Sequence, residues 1–336
     1  MATNLVEFSK EISEKYNDSP AILFKPGFKY VSWSYKELSD DSIKAAGYFQ
    51  SMGLAKGDRV LIWGPNSPMW VIAFFACAKA GIILVPLDIK SPPEFVATVK
   101  DRTKPKLALV SRATPSDCES IGVPLIYMED LPNLYEQCSS YDEVDVTEND
   151  LVEIMFTSGT TGDPKGVMLT HKNLMSNLNS VNKVIKGKQS DRLLSVLPLS
   201  HMFEQMGGML FPLNIGANIT YVTSRRPKSI FKTMQDRKVT VMLLVPQALD
   251  LFKNGIEREI DRQGKTKVFQ KLMNIAKNKP KFIKKLIFRR LRQQMGGSMR
   301  LIFAGGAPLQ EPVGQWWQSL GIDVIQGYGA TEASPV

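Results

Sequence analysis

The sequence predicts an α/β protein in which layered mixed and parallel sheets are flanked by helices. Two observations carry this reading. Helix-period and strand-period apolar segments alternate along most of the chain, and Gly or Pro bounds nearly every junction between them. With 336 residues and 43% hydrophobic composition, the chain has enough apolar surface for a large core, in roughly two to three compact units by size.

The first twenty residues read as an amphipathic helix of mixed charge. Ser34 and Glu37 make a capping box, the helix behind them runs to Met52, and Gly53 supplies a left-handed stop before strand Arg59–Trp63. A buried helix near Pro68–Ala80 ends at Gly81 and leads into strand Ile82–Pro86. Ser91, Pro92 and Pro93 open another helix, followed by strand Lys106–Ser111. An acidic, turn-rich stretch from Tyr141 to Asp150 divides a first α/β subdomain, 1–150, from a second, 151–336. The second layer is expected to start with strand Val152–Ser158, a Gly/Thr-rich loop, strand Val167–Leu169 and a helix from about Lys172 to Lys186. Strands Leu193–Leu197, Asn218–Val222 and Thr240–Val245 follow, with helices near Met202–Leu213 and after Pro227. Helices dominate until Arg300. The sequence then gives strand Arg300–Ala304, helix Leu309–Leu320, strand Asp323–Gln326 and the loop from Gly327 to Val336.

The net charge of +9 is concentrated. Lys253–Arg300 carries fifteen Lys or Arg against three acids, a net +12, so the rest of the chain nets −3. This segment, 253–300, reads as a basic helical insertion. Within 279–295, Phe282, Ile283, Leu286, Ile287 and Leu291 recur at helical spacing, while Lys281, Lys284, Lys285, Arg289, Arg290 and Arg292 take other positions. The resulting basic amphipathic helix either rests on an anionic membrane surface or packs its apolar stripe on the domain with its charges solvated, and both alternatives stay open. No recognition motif accompanies the charge, so nucleic acid is not expected as a partner. Cys77, Cys118 and Cys138 form no CxxC pair, and with His171 and His201 as the two histidines there is no zinc pattern. The N-terminus lacks the apolar core of a secretion signal. Lys79, Gly81 and Pro86 interrupt the apolar run Trp70–Leu87, leaving it short of the roughly 20 residues a spanning helix needs. The chain therefore reads as cytoplasmic, with the basic helix offering peripheral attachment to the inner face of a membrane.

The most informative segment is Thr157, Ser158, Gly159, Thr160, Thr161, Gly162, Asp163, Pro164, Lys165, Gly166. Behind a buried strand, such glycines let backbone amides turn toward an anion, hydroxyls add donors and Lys165 brings a mobile positive charge. The spacing is not that of the Walker loop, which ends Gly-Lys-Ser/Thr. Two further segments follow in order. Gly305, Gly306 and Ala307 sit at a strand's carboxyl end, where small residues let a flat ring approach the backbone. Gln326, Gly327, Tyr328, Gly329, Thr331 and Glu332 offer an aromatic face, flexible glycines, a hydroxyl donor and a carboxylate, chemistry suited to a nucleotide with magnesium.

Through these motifs, in this order and over nearly all 336 residues, the chain resembles the adenylate-forming superfamily, and within it the long-chain fatty acyl-CoA synthetases. The resemblance implies an adenylate-forming N-terminal domain that activates a long-chain fatty acid with ATP to an acyl-adenylate and then to acyl-CoA, with Mg²⁺ as cofactor and coenzyme A as co-substrate. It assigns Thr157, Ser158, Gly159, Thr160, Thr161, Gly162 and Lys165 to the ATP phosphates, and Gly305, Gly306 and Ala307 to the flanks of the adenine and acyl pocket. Tyr328 would stack on adenine within the segment Gln326–Gly329, Thr331 would bond the α-phosphate and Glu332 would hold Mg²⁺. Lys165, Thr331, Glu332 and His201 are thus the expected catalytic set.

By the family pattern the segment Leu197–Glu204 forms the wall against carboxylate and acyl chain, with His201 positioning the carboxylate. A lone histidine beside an apolar helix is equally compatible with a packed, hydrogen-bonded role. The family continues past the position of Val336 with a hinge and a small lid domain bearing a catalytic lysine, so the chain reads as an incomplete ligase, inactive or nearly so by itself. Two alternatives stand beside this reading: an acyl-AMP or acyl-carrier-protein ligase, and a non-catalytic lipid- or nucleotide-binding remnant.

Overall fold

The computed structural model describes residues 2–114, 118, 121–137, 140–157 and 163–334. Two sheets are flanked by helices. The seven-stranded sheet runs β13 (Asp323–Gln326), β12 (Leu301–Ala304), β11 (Val241–Leu244), β9 (Arg192–Ser195), β10 (Asn218–Tyr221), β1 (Pro20–Phe24), β2 (Val31–Ser34). The six-stranded sheet runs β6 (Leu125–Tyr127), β5 (Leu107–Val110), β3 (Arg59–Trp63), β4 (Ile83–Leu87), β7 (Leu151–Thr157), β8 (Lys165–Thr170). All pairings are parallel except the hairpins β1–β2 and β7–β8. This is the layered mixed and parallel architecture expected from the alternation of elements.

The sheets do not divide the chain at residue 150. The N-terminal hairpin β1–β2 joins the seven-stranded sheet, and β7–β8 completes the six-stranded one instead of opening a second layer. The reason is register between distant segments: Ile22, Leu23 and Phe24 pair with Ile219, Thr220 and Tyr221, a choice that local pattern cannot encode.

Helix Pro68–Lys79 touches both sheets. All of its residues are buried, as its continuous apolar sequence requires of a helix with no polar face. Around it one core joins Ile22, Ile219 and Tyr221 of the larger sheet to Val60, Ile62 and Leu84 of the smaller. Ser34 caps the next helix over, Tyr35–Ser51, with the expected reciprocal bonds: Glu37 N donates to Ser34 Oγ at 3.1 Å and Ser34 N to Glu37 Oε2 at 2.7 Å.

The basic segment is the connection between β11 and β12. Its helices Pro246–Arg262 and Thr266–Ala276 pack with Trp316 and Trp317 over the larger sheet. The single basic helix expected over 279–295 is instead two short ones, Lys281–Ile287 and Arg289–Gln294. Phe288 causes the break. It is buried against Phe269, ring centroids 5.8 Å apart, and drawing it inward turns the chain at that residue. Of the apolar stripe, Ile287 and Leu291 pack on the domain while Phe282 and Leu286 stay exposed. Among the described residues no helix is long and apolar enough to cross a membrane.

Lys79 closes the buried helix and is 4% exposed. Burial depresses its ammonium from the ordinary 10.5 to about 8, against the weaker pull of Asp40. The folded chain therefore binds this proton less readily than the unfolded one. The penalty is present in full below about 8, and stability rises as the pH goes from about 8 to 10.5. Replacing Lys79 by Met is expected to stabilise the fold by about 1–3 kcal/mol at neutral pH, with the gain shrinking across that window; thermal melts at a series of pH values give the comparison, and a variant less stable than the parent at pH 7 refutes it.

Candidate functional site

Strands β7 and β8 place Thr157 opposite Lys165, so the glycine-rich segment joins two paired strands. Thr157 is half-buried and Lys165 exposed; Ser158, Gly159, Thr160, Thr161 and Gly162 lie outside the described residues. The leg that returns to β8 is held by Arg102 of helix Pro93–Thr103, which donates to Pro164 O and pairs with Asp163 at 3.7 Å. From the other side, the turn Thr331–Ala333 packs against β8, and Asn177 Nδ2 donates to Ala333 O at 3.3 Å. Thr331 and Glu332 are thereby carried to the strand that starts at Lys165.

A cavity of about 400 Å³ opens at the carboxyl ends of β11, β12 and β13, the end at which parallel α/β sheets accept ligands. His201, Gly306, Gly327, Tyr328, Gly329 and Thr331 line it, together with Phe203 and Val245. Six residues singled out from sequence, far apart in the chain, therefore share one space. Gly305 stands just behind Phe203: a Cβ there would come 2.8 Å from the ring, so only glycine lets the ring lie this close. Ala307, Thr157, Lys165 and Glu332 do not line this cavity, and Glu332 is exposed.

The segment Leu197–Glu204 is fastened from the smaller sheet. Asn66, which follows β3, donates to Ser195 Oγ at 2.9 Å and Leu197 O at 2.6 Å, and accepts from Leu199 N at 2.8 Å. Ser195 in turn donates to Glu204. Glu204 is fully buried, and desolvation raises its carboxyl to about 8, outweighing the opposing pull of Ser195 and Arg225, so it is neutral at pH 7. Glu153 of β7, likewise pushed up to about 8 by burial, accepts from Gln205 Nε2 at 2.6 Å. His201 is largely exposed and its Nε2 lies 3.4 Å from Asp88 Oδ2, just past β4. His201 holds the Asp88 carboxyl below the usual range despite partial burial.

A second cavity, about 370 Å³ and almost wholly apolar, adjoins the first. Phe203 and Gly327 line both. Val181, Met206, Phe211, Leu243 and Phe303 form its walls, and Gln326, expected beside a nucleotide, lies here. The plain helix expected over Met202–Leu213 carries a π-helical turn at Gln205–Leu210. At Gly208 a Cβ would meet the Glu204 carboxyl at 2.4 Å, so the buried acid occupies the space that a normal side chain one turn later needs. Such turns recur where a helix serves a ligand site.

Asn66, Asp88 and Arg102 escaped sequence reading because each is an isolated polar residue at the end of an element, with no spacing to mark it. His171 has a structural role: it is buried, its Nδ1 accepts from Leu5 N at 3.2 Å, and burial lowers its imidazole to about 4. Cys77 and Cys118 are buried, and Cys138 lies outside the described residues. Among the described residues no group of three or more His, Cys, Asp or Glu side chains is arranged to hold a metal. The lone carboxylate of Glu332 suits a magnesium ion whose other ligands are phosphate oxygens and waters, that ion's common arrangement.

Long chain acyl-CoA synthetase 4 of Arabidopsis thaliana is 28% identical, the match covering 95% of this chain and 55% of that protein. Long-chain-fatty-acid CoA ligase 5 of Mus musculus is 30% identical over 92% of this chain and 52% of its own length. The chain thus spans about half the length of these curated relatives. Among solved structures, the N-terminal domain of FACL13 from Mycobacterium tuberculosis superposes with a TM-score of 0.80 at 21% identity, covering 98% of this chain and 77% of that one. A fatty acyl CoA synthetase from the same organism gives 0.79 at 21% identity, covering 99% and 60%. These two likenesses show the shared fold. A family model described as AMP-binding enzyme matches residues 9–336, nearly the whole chain with its glycine-rich segment, strand-end glycines and C-terminal motif, and the chain belongs to that family.

Proposed function

We propose that the chain supplies the nucleotide- and acyl-binding part of a ligase that activates a long-chain fatty acid with ATP, forms an acyl-adenylate and passes the acyl group to coenzyme A. The single observation that carries this reading is the junction, at Phe203 and Gly327, of a cavity bearing the polar groups of His201, Tyr328 and Thr331 with an almost wholly apolar one. A molecule with an adenylate at one end and a hydrocarbon chain at the other fits such a pair, its reacting carboxyl falling at the shared wall. The names of the curated relatives support the acid and the acceptor.

The reaction needs no covalent nucleophile from the protein. A carboxylate oxygen attacks the α-phosphorus, the bond to pyrophosphate breaks, and the thiol of coenzyme A later displaces AMP from the acyl carbon. The chain's part is to hold charge and position. The segment 157–166, with Lys165 at the start of β8, would take the β- and γ-phosphates. Thr331 would donate to the α-phosphate where it lines the first cavity, and Tyr328 would cover adenine with Gly305, Gly306, Ala307, Gly327 and Gly329 leaving room for the ring. Glu332 would hold Mg²⁺, which when bound neutralises phosphate charge. His201, oriented by Asp88, would donate to the substrate carboxylate. The neutral Glu204 keeps the segment in place without setting a bare negative charge beside that carboxylate. The basic segment, through 279–295, would face an anionic membrane surface.

Mg-ATP is expected to raise the melting temperature of the chain, and Lys165→Ala or Glu332→Ala to weaken the apparent affinity by about tenfold or more each, the cost of one charge-assisted contact; unchanged shifts in both variants would remove the phosphate assignment. In the apolar cavity a Cβ at Gly207 would meet Leu243 at 2.6 Å, so Gly207→Leu projects bulk into the channel. Fluorescent fatty-acid titrations should then show long acids binding about tenfold or more weakly, with the Mg-ATP shift retained; equal loss for short and long acids would contradict an acyl channel.

A further inference from the structure

At the end of the larger sheet opposite the cavity of Tyr328 and Thr331, where β9, β11 and β12 begin, lies a recess of about 560 Å³. Lys188, Arg192, Lys285, Arg289, Arg292 and Arg300 line it, against the single carboxylate of Asp191. That carboxylate is already committed. It accepts from Arg300 Nε at 2.7 Å, Thr240 Oγ1 at 3.0 Å and Lys188 N at 2.8 Å. Arg292 is buried and fixed by donation to the carbonyls of Leu320 and Met299. Lys188, Arg192, Lys285 and Arg289 form no ion pair with any described carboxylate. Burial and the neighbouring Lys281, Arg292 and Lys188 depress the Lys285 ammonium against the weaker pull of Asp323, the mark of cations crowded together. A multiply charged anion is what such a recess attracts.

The surroundings favour a lipid over a soluble phosphate. Phe282 and Leu286, one turn apart on the helix that carries Lys285, are 69% and 66% exposed. A soluble anion has no use for them, whereas a basic rim with projecting apolar side chains is the pattern of an interfacial anchor. Exposed residues of the apolar cavity reach toward this side. Its lining residue Val184 is 77% exposed and lies four residues from Lys188, within about 14 Å of chain. Its lining residue Ile325 is two strand residues, about 7 Å, from Asp323, which pairs with Lys281.

We propose that this recess receives the phosphate of an anionic lipid headgroup, with Phe282 and Leu286 entering the interface beside it, so that the open side of the apolar cavity faces the bilayer. The last clause rests on the acyl reading of that cavity; the docking does not. The shallow insertion of two side chains and one helix end makes the attachment peripheral and reversible.

Flotation of the full 336-residue chain with vesicles of phosphatidylcholine alone and of phosphatidylcholine containing phosphatidic acid tests this. The expected result is at least about tenfold tighter association with the anionic vesicles. Lys188→Glu with Lys285→Glu and Arg289→Glu should abolish that preference, and the Gln versions should weaken it with less risk to folding. Phe282→Ser with Leu286→Ser should lower association while keeping the preference. Circular dichroism and melting temperature confirm that each variant folds. Equal association with both vesicle types, or a charge-reversed variant that retains the preference, overturns the proposal. Saturable binding of inorganic pyrophosphate that the charge-reversed variant loses, with no vesicle association by the parent chain, also overturns it, by giving the recess a soluble ligand. Binding of a fluorescent fatty acid without vesicles, measured in parallel, separates a failed acyl reading from failed docking.

Discussion

The position of one segment, Leu197–Glu204, sets everything else at the site, and Asn66 sets that segment. Three hydrogen bonds from this side chain reach Ser195, Leu197 and Leu199, crossing from the end of β3 in one sheet to the end of β9 in the other. In a buried location each bond replaces one that water would otherwise make, and losing any of them leaves a polar group unsatisfied. The clamp therefore transmits the packing of the two sheets, around the fully buried helix Pro68–Lys79, into the placement of His201 and Phe203. The ligand cavities are a consequence of how the sheets meet.

Phe203 is where that placement becomes chemistry. Its ring forms part of both cavities and rests against Gly305. The π turn that follows, made possible by Gly208 beside the buried Glu204, sets Met206 and Gly207 along the apolar channel. Glu204 and Glu153 are kept neutral by desolvation, so this dense polar junction lies close to a proposed anionic substrate without repelling it. Charge is displaced to the far end of the same sheet, where the cations around Asp191 gather. One sheet thus separates the proposed nucleotide and carboxylate site from the proposed headgroup surface.

Much of this was legible in the residues, wherever the determinant is local. The Ser34–Glu37 cap and the strands around Arg59–Trp63 and Asp323–Gln326 are short-range patterns, and each appears where expected. What escaped is non-local. The exchange of hairpins between sheets depends on register with segments up to about two hundred residues away. The break at Phe288 depends on Phe269 being there to receive it. The roles of Asn66, Asp88 and Arg102 exist only once the elements they bridge are side by side. The basic segment misled in an instructive way: its charge was read correctly, but its apolar stripe is split between core and solvent.

Calorimetric titration with a non-hydrolysable mimic of a long-chain acyl-adenylate, compared with ATP and with the free acid, tests the joined cavities most directly. If the cavity at His201, Tyr328 and Thr331 and the apolar one meet at Phe203 as described, the linked ligand gains from both and should bind at one site at least about a hundredfold more tightly than either part. Affinity no greater than that of the adenosine portion alone would mean that the two cavities do not serve one molecule.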